Sequence, residues 1–129
     1  MTFSKIVFDD HYEMIINIPE QDQPVTLSIS DDLDAAYKPL SKIFQEKIID
    51  FLNKSSTWYD LGKKKINHEF SKDTPSRLLT IYILSENLEE DIIFGLLYRI
   101  EEDIEHGRGI KITSNMEIIE YGIGDVAIC

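Results

Sequence analysis

Acidic side chains crowd together at Glu101, Glu102, Asp103 and Glu105, followed by His106 and then Gly107-Arg108-Gly109. Carboxylate oxygens at that density suit a hard divalent cation such as calcium or magnesium. The spacing does not. A calcium loop of the EF-hand kind needs oxygen ligands at alternate positions, a central glycine and a more distant glutamate, whereas Ile104 falls where a ligand is required. His11 and His68 lie far away in sequence, so no second imidazole is at hand. The chemistry left to this segment is that of an acidic surface turn, with recognition of a cationic partner as its functional use and no metal expected.

Other constellations carry less. No G-x-S-x-G elbow and no Gly-rich phosphate loop is present, so neither a nucleophilic serine nor a nucleotide cofactor is expected. Cys129 stands at the last position, where a frayed end holds no thiol in fixed geometry. Asp9-Asp10, Asp31-Asp32, Glu89-Glu90-Asp91 and Glu101-Glu102-Asp103 are too many acid pairs for all to be acid–base machinery. Lys63-Lys64-Lys65 reads as a solvated helix face, and Trp58, Tyr59 and Phe70 as core rather than a ligand shelf. The expected set of catalytic residues is empty, as is that of cofactors.

Charge gives the partner class. The 129 residues hold 24 acids against 13 bases, a net charge of −11. Residues 1–37 sum to −7, residues 38–77 to +4 and residues 78–129 to −8. Such a field repels nucleic-acid phosphates and anionic membranes and draws basic proteins in. The start of the chain lacks the basic and apolar regions of a signal peptide, and no apolar run approaches the length of about 18–20 residues that a membrane span requires. One cysteine forms no disulfide framework, so a cytoplasmic location is expected.

The elements that must position these acids follow from periodicity. Tyr12, Met14, Ile16 and Ile18 alternate with more polar neighbours, as do Val25, Leu27 and Ile29, which predicts strands. With Ile6-Val7-Phe8 ahead of them they make an antiparallel three-strand meander. Leu33, Tyr37, Leu40, Phe44, Ile48, Phe51 and Leu52 recur at three and four, a helical stripe over about 31–53 with Pro39 marking the start of its main part. Ser55 or Ser56 is placed to cap a second helix over about 56–70. Leu78–Leu84 and Ile92–Ile100 read as strands. Arg108–Thr113 and Met116–Tyr121 form a hairpin across a two-residue Ser114-Asn115 turn, and Asp125–Ile128 is a last short strand. The expectation is one α+β domain over residues 1–129, with a single antiparallel sheet from N- and C-terminal strands and the helices packed on one face. Phe44, Ile48, Phe51, Phe94, Leu96 and Ile112 should share its core.

Phe94-Gly95-Leu96-Leu97-Tyr98, Asp103-Ile104-Glu105-His106-Gly107-Arg108-Gly109-Ile110, Glu117–Gly122 and Asp125-Val126-Ala127-Ile128 form a longer pattern. This segment resembles a group of small acidic bacterial domains of unknown function. They typically end in an apolar strand, Asp-Pro-Glu-His-Gly before a strand, a tight turn, and Gly-x-x-Asp-Ile/Val. Ile104 stands where that group has proline. Such domains often lie beside polymorphic toxins and are thought to act as immunity proteins. The resemblance implies a protein that binds a cognate toxin domain, often a basic nuclease, and blocks its active surface. The alternative is a regulatory or housekeeping protein-binding domain without a toxin partner. The candidate contacts to a basic partner are Asp31, Asp32, Glu89, Glu90, Asp91, Glu101, Glu102, Asp103 and Glu105.

Overall fold

The computed structural model describes residues 13–29, 42–84 and 92–128. Six strands form one sheet in chain order: β1 (Glu13–Ile16), β2 (Val25–Ile29), β3 (Ser76–Ile83), β4 (Ile93–Ile100), β5 (Asp103–Thr113) and β6 (Ile118–Gly122). Two helices, α1 (Lys42–Asn53) and α2 (Ser55–Phe70), fall between β2 and β3. The fold is α+β. The expected third N-terminal strand at Ile6–Phe8 and the first helical turn near 31–37 lie outside the described residues.

The sheet is mixed, not wholly antiparallel: β2 and β3 run parallel, with Thr26 opposite Thr80 and Ile29 opposite Ile83. The cause is the position of the helices. A hairpin reverses the chain, whereas a connection long enough to hold two helices can carry it back to the end it left, so the next strand runs the same way. The remaining neighbours pair antiparallel.

Cross-strand register puts one row of apolar side chains beneath the helices. Ile16 faces Val25, Leu27 faces Ile81, Ile83 faces Phe94, and Phe94 faces Ile112. All six expected core residues are buried in one cluster with Trp58, Ile66 and Tyr98. Phe51 of α1 stacks on Phe94 of β4 with ring centroids 3.8 Å apart, and Trp58 of α2 stacks on Phe51 at 5.2 Å. Trp58 Nε1 donates to the Phe51 carbonyl at 2.8 Å, so its polar edge is satisfied where the chain passes between helices. That passage is one residue long. Lys54 is the N-cap of α2 and makes no side-chain cap, so neither Ser55 nor Ser56 caps it. Lys54 is fixed by its backbone instead, its N–H donating to the Phe51 carbonyl and its own carbonyl accepting from Thr57.

Two C-terminal expectations need correction. The β5–β6 turn has three residues, Ser114-Asn115-Met116, and Met116, not Asn115, takes positive φ (68°). A type I turn followed by a left-handed residue is the next most favoured hairpin after two-residue turns. Residues 125–128 are not a strand; Gly124–Ala127 form a one-turn 3-10 helix. It lies across the sheet face opposite α1 and α2, over Gly95 and Gly109, where a Cβ would overlap the backbone of Ala127. Two side-chain-free positions on neighbouring strands leave a groove that the chain fills, and Ala127 is completely buried in it.

Candidate functional site

The acidic segment occupies one end of the sheet, where β4 turns into β5 beside the C-terminus of α2. Only Glu101 and Glu102 form the turn; Asp103 already begins β5, which is thus longer than the expected Arg108–Thr113. Gly107, inside β5, takes φ +62°, and its Cβ position is closed by the Tyr98 carbonyl.

Asp103 is half-buried and tied to its neighbours. Its Oδ2 accepts from Arg108 Nη1 at 2.7 Å, and its Oδ1 lies 3.0 Å from His106 Nδ1 and accepts from the His106 backbone N–H at 3.3 Å. These bonds, Arg108 first and His106 second, hold its carboxyl below the usual carboxylate range. Arg108 also donates to the Gly107 carbonyl and lies over the Phe70 ring, 4.8 Å from its centroid, which ties the start of β5 to the end of α2. The same bond to Asp103 holds the Arg108 guanidinium above its usual range. Glu102 of the β4–β5 turn accepts from Lys72 Nζ, two residues past α2, at 2.9 Å, a second and solvent-exposed tie nearby.

Glu101 and Glu105 differ from these two. Both are exposed, and no cation within ion-pair distance is found for either among the described residues. Of the four expected acids here, two are unpaired among the described residues, one is committed to a surface pair and one to a half-buried bond network. Asp31, Asp32, Glu89, Glu90 and Asp91 lie outside the described residues. Among the described residues, no group of three or more histidine, cysteine, aspartate or glutamate side chains is arranged to hold a metal ion.

No family model, curated protein or solved structure matches the chain. The resemblance drawn at residues 94–128 accordingly rests on those residues alone.

The lysine run behaves as a helix face. Lys64 pairs with Asp60 at 2.9 Å, Lys65 lies 3.9 Å from Glu69, and Lys65 Nζ stands 5.5 Å from the Tyr121 ring centroid. Exposed pairs of this kind contribute little, about 0–1 kcal/mol each. They do place acids of α2 itself beside Lys64 and Lys65. Sequence reasoning missed Arg108 and Lys72 as the groups that select which acids stay available. Asp103, His106 and Arg108 at spacings of three and two were visible, but the reach of Lys72 across to Glu102 is tertiary.

Proposed function

We propose that this chain is an immunity protein. It binds and neutralises a cognate bacterial toxin domain in the cytoplasm by covering its active surface, and it performs no catalysis of its own. The observation that carries this reading is the pair of exposed carboxylates, Glu101 on the β4–β5 turn and Glu105 at the start of β5, beside the bonds that Asp103 makes to Arg108 and Glu102 to Lys72. A rigid acidic edge on a protein of net charge −11 is complementary to the basic face that a nuclease presents to phosphates. Among the described residues no helix is long and apolar enough to cross a membrane.

The test uses a toxin-like domain encoded beside this chain's own gene. Binding kinetics are measured at two salt concentrations for the native chain and for the combined Glu101→Gln, Glu102→Gln and Glu105→Gln variant. Asp103 is left intact because its loss would loosen the turn itself. The expected result is slower association in the variant and at high salt, with dissociation changed less, because exposed charge at the rim acts on encounter. No complex with any neighbouring gene product would sink the immunity reading. A complex whose association ignores both salt and the substitutions would remove the acidic edge from it.

A further inference from the structure

Arg77 and Arg99 face each other directly across the β3–β4 pair, in Cα register. Like charges at opposed positions of an antiparallel pair work against the sheet, so such a pair is ordinarily separated or neutralised by acids. Neither happens here: among the described residues, no carboxylate forms an ion pair with either arginine. Both lie on the sheet face away from the helices, since their neighbours Leu78 and Tyr98 point into the core. They line a cleft of about 290 Å³ with Gln23, Pro75, Ser76 and Glu101. The Nε of Arg77 and the hydroxyl of Ser76 are buried and have no hydrogen-bond partner among the described residues.

We infer that this cleft binds a small molecule through an oxyanion group, carboxylate or phosphate, held between the two guanidinium groups. Three features converge on that chemistry. Guanidinium forks match the paired oxygens of a carboxylate or phosphate. Partial desolvation of Arg77 strengthens its attraction for an anion above what a solvated arginine offers. The cleft is at the lower end of the range for small-molecule sites, enough for an anionic head and a short attached chain. A bound anion also removes the repulsion between the opposed arginines, which gives occupation of the site a stabilising effect on the sheet. Glu101 at the rim opposes anion binding and sets a size and charge filter on what enters. The cleft shares Glu101 with the acidic edge, but anion recognition by Arg77 and Arg99 requires no toxin partner.

The probes are inorganic phosphate and succinate, titrated at constant ionic strength into the full chain, with chloride as the control. Side-chain N–H resonances of Arg77 and Arg99 report occupancy, and the urea midpoint reports stabilisation by linkage. A saturable shift at both arginines with one probe, and a rising midpoint with the same probe, is expected; which probe acts tells phosphate from carboxylate. Arg99→Met, at an exposed position, and Arg77→Met should each weaken binding by about tenfold or more, as loss of a charge-assisted pair does. Both variants should fold at least as well as the native chain without ligand, because each removes the repulsion. Glu101→Gln should tighten binding. Shifts that grow without saturation with both probes, or binding that survives Arg99→Met unchanged, would overturn the proposal.

Discussion

Tyr98 is fully buried, yet its hydroxyl has no hydrogen-bond partner among the described residues, and burial raises its ionisation well above the usual phenol range. A buried donor left unpaired costs roughly 1–3 kcal/mol, so Tyr98→Phe should leave stability unchanged or raise it, as read from urea midpoints. The hydroxyl sits against Gly62 of α2, where a Cβ would overlap it. Gly62→Ala alone should therefore destabilise by about 1–3 kcal/mol, and in the Tyr98→Phe background by clearly less. Additive effects in that cycle would show that helix and strand do not meet at this point. Asp103 provides a pH-dependent counterpart. Its folded-state ionisation is depressed by Arg108 and His106, so the stability it contributes is complete above the unfolded value of about 3.9 and lost as pH falls through the lower folded one. The midpoint difference between the native chain and Asp103→Asn should be constant from pH 5 to pH 7 and close below about pH 4. A difference that persists undiminished at low pH would mean that the carboxylate charge is not what holds the turn.

At the level of elements, the stack of Trp58, Phe51 and Phe94 joins both helices to the centre of the sheet. Phe94→Ala or Phe44→Ala should cost about 3–5 kcal/mol by leaving a cavity, checked by denaturant unfolding. The 3-10 helix at Gly124–Ala127 depends on the opposite face being bare at Gly95. Gly95→Ala should expel it, and the amides of Val126 and Ile128 should lose hydrogen-exchange protection while those of α1 keep theirs. Protection unchanged throughout would mean that the turn finds another seat. These two layers differ in how readily the sequence discloses them. Phe44, Ile48, Phe51, Phe94, Leu96 and Ile112 announce the core because each repeats at the period of its own element, a local signal. Asp125–Ile128 looks like a strand for the same reason, and local pattern misleads there. What decides its shape is the absence of side chains at Gly95 and Gly109, many positions earlier in the chain. The candidate site was half legible on similar grounds: the crowd of acids at 101–105 is evident in sequence. Which of them are neutralised depends on Lys72 and Arg108, and the facing of Arg77 with Arg99 depends on strand register. The parallel step between β2 and β3 was hidden too, since apolar alternation says where strands lie and not which way they run.

For the whole molecule, a net charge of −11 on 129 residues means that the folded state confines charge that the unfolded chain can spread out. The ion pairs at Lys54–Asp50, Lys64–Asp60 and Lys72–Glu102 are exposed and offset little of this. The urea midpoint should therefore rise as sodium chloride increases from 10 mM to 100 mM, over which the Debye length shrinks from about 30 Å to about 10 Å. A falling midpoint would show that attractive pairs, not self-repulsion, dominate the balance. The topology also sets an order of assembly. Strands β3 to β6 join consecutive neighbours through short connections, so their contacts close early and at small entropic cost. The β1–β2 hairpin meets the rest of the sheet through its parallel pairing with β3, across residues 30–75. A two-stranded hairpin is at best marginally stable by itself. The β1–β2 hairpin thus leaves the ribosome before the strand it pairs with, and until Ser76–Ile83 has been synthesised the backbone edge of Val25–Ile29 has no native strand beside it.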